Sequence, residues 1–286
     1  MEYYQVDVFS NGPGTGNPLG VFLKAADLST EQMQSLAAEL NYSETTFVSN
    51  YDASSYDMRI FTPAEELPFA GHPTIGTSWL LRHLDKVTAE KIEQRTPAGT
   101  TVIRVNDDLL WFERRGTADP DIQDSRPGDA RTIAKSLGLS TEEIGLEARE
   151  VGRSGRLGPA FADAGLRMMM VPVPSLAVLA RIHPPTELEI FENFGAYCFT
   201  AAGAGRVRAR GLWPGQNIPE DPATGAAAAA LGIYLAARIG DIGFEIEQGV
   251  EMGQPCRIFV STEGDEVQVG GRCQFSKQDD IDVPAS

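Results

Sequence analysis

Two short segments far apart in the chain share one pattern. Glu66-Leu-Pro-Phe-Ala-Gly71-His-Pro73 and Glu220-Asp-Pro-Ala-Thr-Gly225-Ala-Ala227 place Glu, Pro and Gly at the same spacing. Their offset is 220 − 66 = 154 residues in a chain of 286. An offset near half the length is what two similar halves produce. Each segment also stands in front of a predicted helix. After the first, Ile75, Trp79, Leu80 and Leu81 recur at helical spacing. After the second, five consecutive alanines, Ala226–Ala230, open a helix predicted over Thr224–Ile239. Small residues let neighbouring elements approach closely, so this helix is expected to be buried. Each half is then expected to wrap a sheet around a central helix whose N-terminus opens at a cleft.

The remaining elements follow from local signals. Tyr3–Ser10 alternates like a strand, Asn11–Pro18 is a turn rich in Gly and Pro, and Leu19–Leu23 is a second strand. Ser29-Thr-Glu-Gln32 has the form of a capping box for a helix ending at Asn41. Glu44–Ser49, Asp57–Thr62, Thr101–Val105 and Leu109–Glu113 read as strands. Pro73 suits the first position of a helix running to about Leu84, with His72 as its N-cap. The acidic stretch Gly116–Ala130 reads as a linker, giving halves at residues 1–117 and 118–286. Thr132–Leu139 and Ser175–Ile182 look helical, Glu189–Thr200 and Val207–Leu212 strand-like, and the polar tail after Ser276 is expected to be mobile.

Charge narrows the partners. Lys plus Arg minus Asp plus Glu is 24 − 40 = −16, a field that repels nucleic acid and anionic membranes. The start, Met1–Ser10, lacks a signal peptide's basic flank and apolar block. The most apolar stretch, Gly225–Ala237, is shorter than the roughly 20 residues a bilayer crossing needs. A soluble, cytoplasmic protein is expected, with no nucleic-acid or membrane partner. Cys198, Cys256 and Cys273 are odd in number and lack CxxC spacing, so they read as buried apolar groups rather than disulfides or zinc ligands.

Cofactor motifs fail throughout. His72, His83 and His183 have no metal-ligand spacing with another His or a Cys. Gly12-Pro-Gly-Thr-Gly16 joins strand to strand and does not open a helix, so it does not match a dinucleotide loop. No metal and no organic cofactor is expected. The two helix starts remain, where unpaired N–H groups and a partial positive charge suit a carboxylate. Gly71 and Gly225 serve there either close approach of a ligand or only a tight turn. Glu44 borders the apolar run Thr45-Thr-Phe-Val48, where partial desolvation would suit it to carry a proton. His72 reads as a capping residue or a second acid/base group. Asp221 reads as a cap or as a hydrogen-bond partner that fixes the His72 tautomer.

At these residues the sequence resembles the phenazine-biosynthesis isomerase family (PhzF-like), on the diaminopimelate-epimerase type of fold. The resemblance runs from Asp7-Val-Phe9 and Gly16-Asn-Pro18 through Asn41-Tyr-Ser-Glu44, Phe61-Thr-Pro63 and the Glu66–Pro73 segment to Glu220–Gly225 and Gln248–Gly253. It implies an α+β fold of two similar halves. Each would be a curved mixed or antiparallel sheet around a central helix, with the active site in the cleft between them. It further implies a cofactor-independent isomerase, often a homodimer, that moves a proton and so shifts a double bond on a small carboxylate-bearing substrate, as trans-2,3-dihydro-3-hydroxyanthranilate isomerase does. Glu44 would shuttle the proton, and His72 and Asp221 would polarise or orient the substrate. Asn17, Gly71, Pro73, Gly225 and Ala226 would line it, with backbone amides around the two glycines holding its carboxylate.

Two departures bear on specificity. Ala226 stands where the phenazine enzyme has a serine, and Gln254-Pro-Cys256 where Arg-Pro-Ser is usual. A racemase or epimerase of an amino or hydroxy acid is the enzymatic alternative. A non-catalytic small-acid binding protein on the same scaffold is the other. None of the three cysteines lies in the shared motifs, which disfavours the two-thiol chemistry of the related epimerases.

Overall fold

The computed structural model describes residues 1–119, 127–151, 154–186, 188–216 and 218–284. They belong to two compact units, Met1–Glu113 with Gly270–Ser286, and Arg114–Val269. The fold is mixed α/β, with extensive mixed sheet and few helices. Among the described residues no helix is long and apolar enough to cross a membrane.

The first unit is built on β1 (Glu2–Val8), β2 (Asn17–Phe22), β3 (Glu44–Tyr51), β4 (Ser55–Phe61), β5 (Glu66–Leu67), β6 (Lys91–Thr96), β7 (Gly99–Asn106) and β8 (Leu109–Arg115). β1 pairs antiparallel with β2, β2 parallel with β3, β3 antiparallel with β4, β4 parallel with β6, and β6 antiparallel with β7. The short β5 lies antiparallel on β4, with Phe61 opposite Glu66. Helix α1 (Thr30–Leu40) begins with the expected capping box, Ser29 with Gln32, and ends on Asn41 in the left-handed conformation. Its Met33, Leu36 and Ala37 pack on Phe22, Phe47 and Phe61, where Phe22 and Phe47 stack at 4.9 Å.

Helix α2 (Gly71–His83) is the buried helix of this unit. It starts two residues earlier than Pro73 implies, and its N-cap is Ala70 rather than His72. The polar residues on its buried face are matched one by one. The Thr77 and Thr46 hydroxyls lie 2.9 Å apart, Ser78 meets Tyr56 at 2.8 Å, and the Thr74 hydroxyl donates to the Ala70 carbonyl. Buried hydroxyls paired in this way avoid the cost of an unsatisfied polar group.

The second unit contains β9 (Thr117–Ala118), β10 (Leu146–Glu147), β11 (Arg156–Leu157), β12 (Ala160–Asp163), β13 (Arg167–Pro172), β14 (Ala196–Ala201), β15 (Arg206–Trp213), β16 (Ile218–Asp221), β17 (Gly243–Gln248), β18 (Cys256–Glu263) and β19 (Glu266–Gly271). β12 pairs antiparallel with β13, β13 parallel with β14, β14 antiparallel with β15, β15 parallel with β17, and β17 antiparallel with β18. The short β16 lies antiparallel on β15, with Gly211 opposite Asp221. Helices α3 (Pro127–Ser136) and α4 (Leu176–Ala180) flank the sheet elements in sequence, and α5 (Gly225–Ile239) is the buried one. Ala227–Ala230 are wholly buried, as the alanine run implied.

Three expectations need correction. The stretch Gly116–Ala130 is not linker at its ends, because Thr117–Ala118 pairs with β12 and Pro127 opens α3; residues 120–126 lie outside the described residues. Glu189–Thr200 is not one strand, because a 3₁₀ turn, Leu188–Phe191, comes first and the strand begins at Ala196. The segment after Ser276 is not a loose tail up to Asp280. It is the end of β20 (Cys273–Asp280), paired antiparallel with β1, which assigns the chain's last residues to the first unit. Backbone bonds to β1 hold this strand although most of its side chains are exposed and polar.

Candidate active site

Glu44 is the first residue of β3, and His72 is the second of α2. Parallel pairing of β2 with β3 sets Glu44 opposite Leu19. Side chains alternate along β3, so Glu44 and Thr46 share a face, and both meet α2: Thr46 at Thr77, Glu44 at His72. The Glu44 Oε2 to His72 Nδ1 distance is 2.8 Å. The other ring nitrogen, Nε2, lies 3.1 Å from the backbone carbonyl oxygen of Asn17. His72 is 2% exposed and the Glu44 side chain 15%. Glu44 is therefore largely withdrawn from solvent, as its place beside the apolar run Thr45–Val48 implied. Its carboxylate sits at the rim of the unit's interior with one oxygen committed.

Asn17 enters this arrangement through its main chain. Both His72 nitrogens are engaged within the first unit, so the group that sets its tautomer is the Asn17 carbonyl, in place of the Asp221 carboxylate considered from sequence. Gly71, His72 and Pro73 are buried at the start of α2, and no side chain caps that start. The first amide of the helical ladder is Thr74, donating to Ala70. The Gly71 and His72 amides precede it, and Pro73 has none.

In the second unit Asp221 closes β16 and Thr224 is the N-cap of α5. Thr224 does not cap with its side chain. Its hydroxyl accepts from Trp213 Nε1 at 3.2 Å and from Gln248 Nε2 at 3.1 Å. With both lone pairs occupied, its one proton goes to Asp221 Oδ2, 2.5 Å away. Asp221 Oδ2 is thereby an acceptor, and the N-cap position belongs to Thr224 rather than Asp221. Gly225 is buried at the helix start and Ala226 is half-buried.

Gln248, wholly buried at the end of β17, organises this corner. Its amide nitrogen donates to the Asp221 carbonyl at 2.8 Å, and its oxygen accepts from the Thr224 amide at 3.2 Å and from the Tyr197 hydroxyl at 2.8 Å. Turning the amide over would set donor against donor and oxygen against oxygen, so its orientation is fixed. Burial, and then the Asp221 charge, push the Tyr197 phenol well above its ordinary value, so it stays a donor. Gly211 makes room for the meeting. A Cβ there would lie 2.9 Å from both Thr224 Oγ1 and Trp213 Nε1. Sequence reasoning missed Gln248, Trp213, Tyr197 and Gly211 as site-building residues. The signal for the first was present, because Gln248 opens the motif Gln248–Gly253.

All three cysteines are free, with Cys198 and Cys256 buried. Burial pushes the Cys198 thiol up to about 12, away from the thiolate that an acid/base cysteine needs. Among the described residues no three His, Cys, Asp or Glu side chains cluster as metal ligands do.

Residues 6–277 match the family model described as phenazine biosynthesis-like protein (PhzC-PhzF). The chain is 36% identical over 269 residues to a trans-2,3-dihydro-3-hydroxyanthranilate isomerase of Pseudomonas chlororaphis, covering 92% of this chain and 90% of that protein. Among solved structures it is similar to a phenazine biosynthesis protein of the PhzF family from Bacillus anthracis, with TM-score 0.82, 23% identity and 98% of each chain covered. A more distant likeness in fold is to a probable proline racemase from Agrobacterium radiobacter, with TM-score 0.53 and 13% identity over 99% of this chain and 93% of that one. The chain thus belongs to the phenazine biosynthesis-like (PhzC-PhzF) family and is a PhzF-like isomerase.

Proposed function

We propose that this isomerase moves a proton on a small carboxylate-bearing substrate, shifting a double bond with side chains alone, and that Glu44 carries the proton. The observation that carries the reading is the Glu44–His72 hydrogen bond, 2.8 Å long, on a carboxylate that is mostly but not wholly buried. Such a group is within reach of substrate yet restrained by a titratable partner. Asp221, already an acceptor for Thr224, orients a donor group of the substrate. Asn17, Gly71, Pro73, Gly225 and Ala226 line the substrate, and the helix starts free of side-chain caps receive its carboxylate.

The proposal includes two similar halves. Support comes from the strand pairing within each unit. Both run antiparallel, parallel, antiparallel, parallel, antiparallel, and both place a short strand before the buried helix. A homodimer is part of the same proposal, checked by sedimentation.

The test is turnover of trans-2,3-dihydro-3-hydroxyanthranilate, the substrate named for the curated relative, in deuterated water. A product with a shifted double bond is expected, carrying deuterium at the carbon that receives the proton in the share of turnovers in which the Glu44 carboxyl exchanges with solvent before it returns the proton. Glu44→Gln should lower kcat by about 10²–10⁴-fold with the fold intact. An active Glu44→Gln protein removes the mechanism. Deuterium at a stereocentre of an amino or hydroxy acid, with no bond shift, puts a racemase in its place. The high Cys198 pKa argues against a thiol version of that chemistry. Saturable binding of such acids without turnover would leave a binding protein.

A further inference from the structure

The contacts of His72 fix how many protons the Glu44–His72 pair holds and where they lie. A carbonyl oxygen only accepts, so the 3.1 Å contact between His72 Nε2 and the Asn17 carbonyl requires a hydrogen on Nε2. The opposite tautomer would set two lone pairs against each other in a site where His72 is 2% exposed. With Nε2 committed, only two states satisfy the 2.8 Å contact between Nδ1 and Glu44 Oε2. Either Nδ1 carries a hydrogen and faces a carboxylate, or a protonated Glu44 donates to the Nδ1 lone pair. An ionised carboxylate against a bare Nδ1 is repulsive. The line between these two atoms therefore always holds one proton.

From this we infer that His72 is a positioning residue that acts through Glu44 and does not touch the substrate, and that Glu44 Oε1 is the atom that takes and returns the substrate proton. Among the described residues Oε1 has no hydrogen-bond partner, whereas Oε2 is held by His72. The inference rests on the reading of Glu44 as the acid/base. In the forward step the substrate C–H bond breaks, an O–H bond forms at Oε1, and the electron pair stays on the substrate. The pair then carries Oε1–H together with Nδ1–H and Nε2–H, so its charge rises by one as the substrate's falls by one. Return of the Oε1 proton to another carbon restores both. Because the proton shared with His72 Nδ1 occupies Oε2 throughout, Oε1 is the only oxygen of this carboxylate left to exchange with substrate.

The experiment is nitrogen NMR of the full-length, ¹⁵N-labelled protein without ligand. The chain has only three histidines, and His72→Asn identifies the His72 ring signals by their loss. A protonated, pyrrole-type Nε2 is expected at every pH at which the protein is folded, with the Nδ1 signal moving in Glu44→Gln while Nε2 does not. A pyridine-type Nε2 with the proton on Nδ1, or an Nδ1 signal indifferent to Glu44→Gln, overturns the inference. Because this readout needs no substrate, it stands or falls apart from the isomerase reading. Kinetics supply a second arm on trans-2,3-dihydro-3-hydroxyanthranilate. His72→Asn, whose amide can still donate to Oε2 but cannot hold a mobile proton, should lower kcat by about 10-fold or more with KM within about 2-fold, as expected when only transition-state stabilisation is lost. A rise in KM at unchanged kcat would mean that His72 binds substrate directly.

Discussion

Arg210 grips Glu220 along both edges of the carboxylate, with Nε 2.9 Å from Oε1 and Nη2 2.8 Å from Oε2. Its remaining nitrogen, Nη1, donates to the carbonyls of Leu179 and Ile182 at the end of α4. Glu220 is the residue before Asp221, so this clasp fixes the strand that presents the site. The first unit contains the same fork. Arg59 Nε and Nη2 reach the two oxygens of Glu66 at 2.7 and 2.6 Å, again five residues before the glycine that opens the buried helix. The repeated glutamate read from sequence is thus the anchor of each helix approach.

Burial separates the two clasps. Arg210 and Glu220 side chains are 8% and 15% exposed, while Arg59 and Glu66 are both 30% exposed. Removing one partner of a buried pair strands the other charge, at about 3 kcal/mol or more. Removing one partner of a half-exposed pair costs about 1 kcal/mol. Glu220→Ala should therefore lower the unfolding free energy in urea clearly more than Glu66→Ala does. Equal losses would show that the second-unit clasp is solvated.

Gln248 gives a sharper test, because an isosteric change reverses its chemistry. Gln248→Glu replaces the amide nitrogen by oxygen, directly opposite the Asp221 carbonyl at 2.8 Å and the Thr224 hydroxyl oxygen at 3.1 Å. Two donors are lost and a buried charge is placed beside Asp221. The expected cost is about 2–4 kcal/mol, from the unsatisfied acceptor and the desolvated carboxylate. Chemical denaturation reads it. A variant within about 0.5 kcal/mol of the parent protein would mean that the amide orientation assigned to Gln248 is wrong.

Asp52 links stability to pH in the turn between β3 and β4. Its Oδ1 accepts from the Ser54 and Ser55 amides at 2.7 and 2.8 Å, and Oδ2 from the Ser55 hydroxyl at 2.8 Å. Hydrogen bonds from the Ser54 amide first, and then from the Ser55 hydroxyl, hold the carboxyl down to about 2. A carboxyl whose folded pKa lies below its unfolded value, about 3.9, stabilises the fold above that value. The contribution is lost as pH falls through the folded pKa. Asp52→Asn should therefore be less stable than the parent at pH 7, with the gap closing between about pH 4 and pH 2. A gap that stays constant across that range would show that the charge on Asp52 is not what matters.

What could be read from sequence divides along physical lines. The capping box at Ser29, the alternation of Tyr3–Val8 and the burial of the alanine-rich helix are local or periodic signals, and each is found in the structure. β13 was unreadable because Met168–Val171 is a continuous apolar run without a period. β20 is not legible locally, because its exposed side chains hide backbone pairing with β1, at the opposite end of the sequence. The start of α2 is hidden because Pro73 signals a first helical position so strongly that it masks the two helical residues before it, Gly71 and His72. The Glu44–His72 contact was legible only as two suspicious residues, since its geometry depends on parallel pairing of β2 with β3. The role of Gln248 depends on partners 24, 27 and 51 residues away, beyond any local pattern.

The two buried helices each contain a glycine where helix propensity alone would favour alanine by about 1 kcal/mol. At Gly76 in α2, an added Cβ would lie 2.5 Å from both Leu19 Cδ2 and Val8 Cγ2. At Gly232 in α5 it would lie 2.7 Å from Val267 Cγ2 and 2.9 Å from Val260 Cγ1. Leu19, Val8 and Val267 are fully buried and Val260 nearly so, which leaves these methyl groups no open space to move into. Overpacking of this kind costs about 1–3 kcal/mol, which outweighs the propensity gain. Gly76→Ala and Gly232→Ala should each lower the thermal midpoint, Gly76→Ala by more because its two contacts are closer. A midpoint raised by either change would mean that the sheet can move away from its central helix, and that the close approach read from these glycines is not a constraint on the fold.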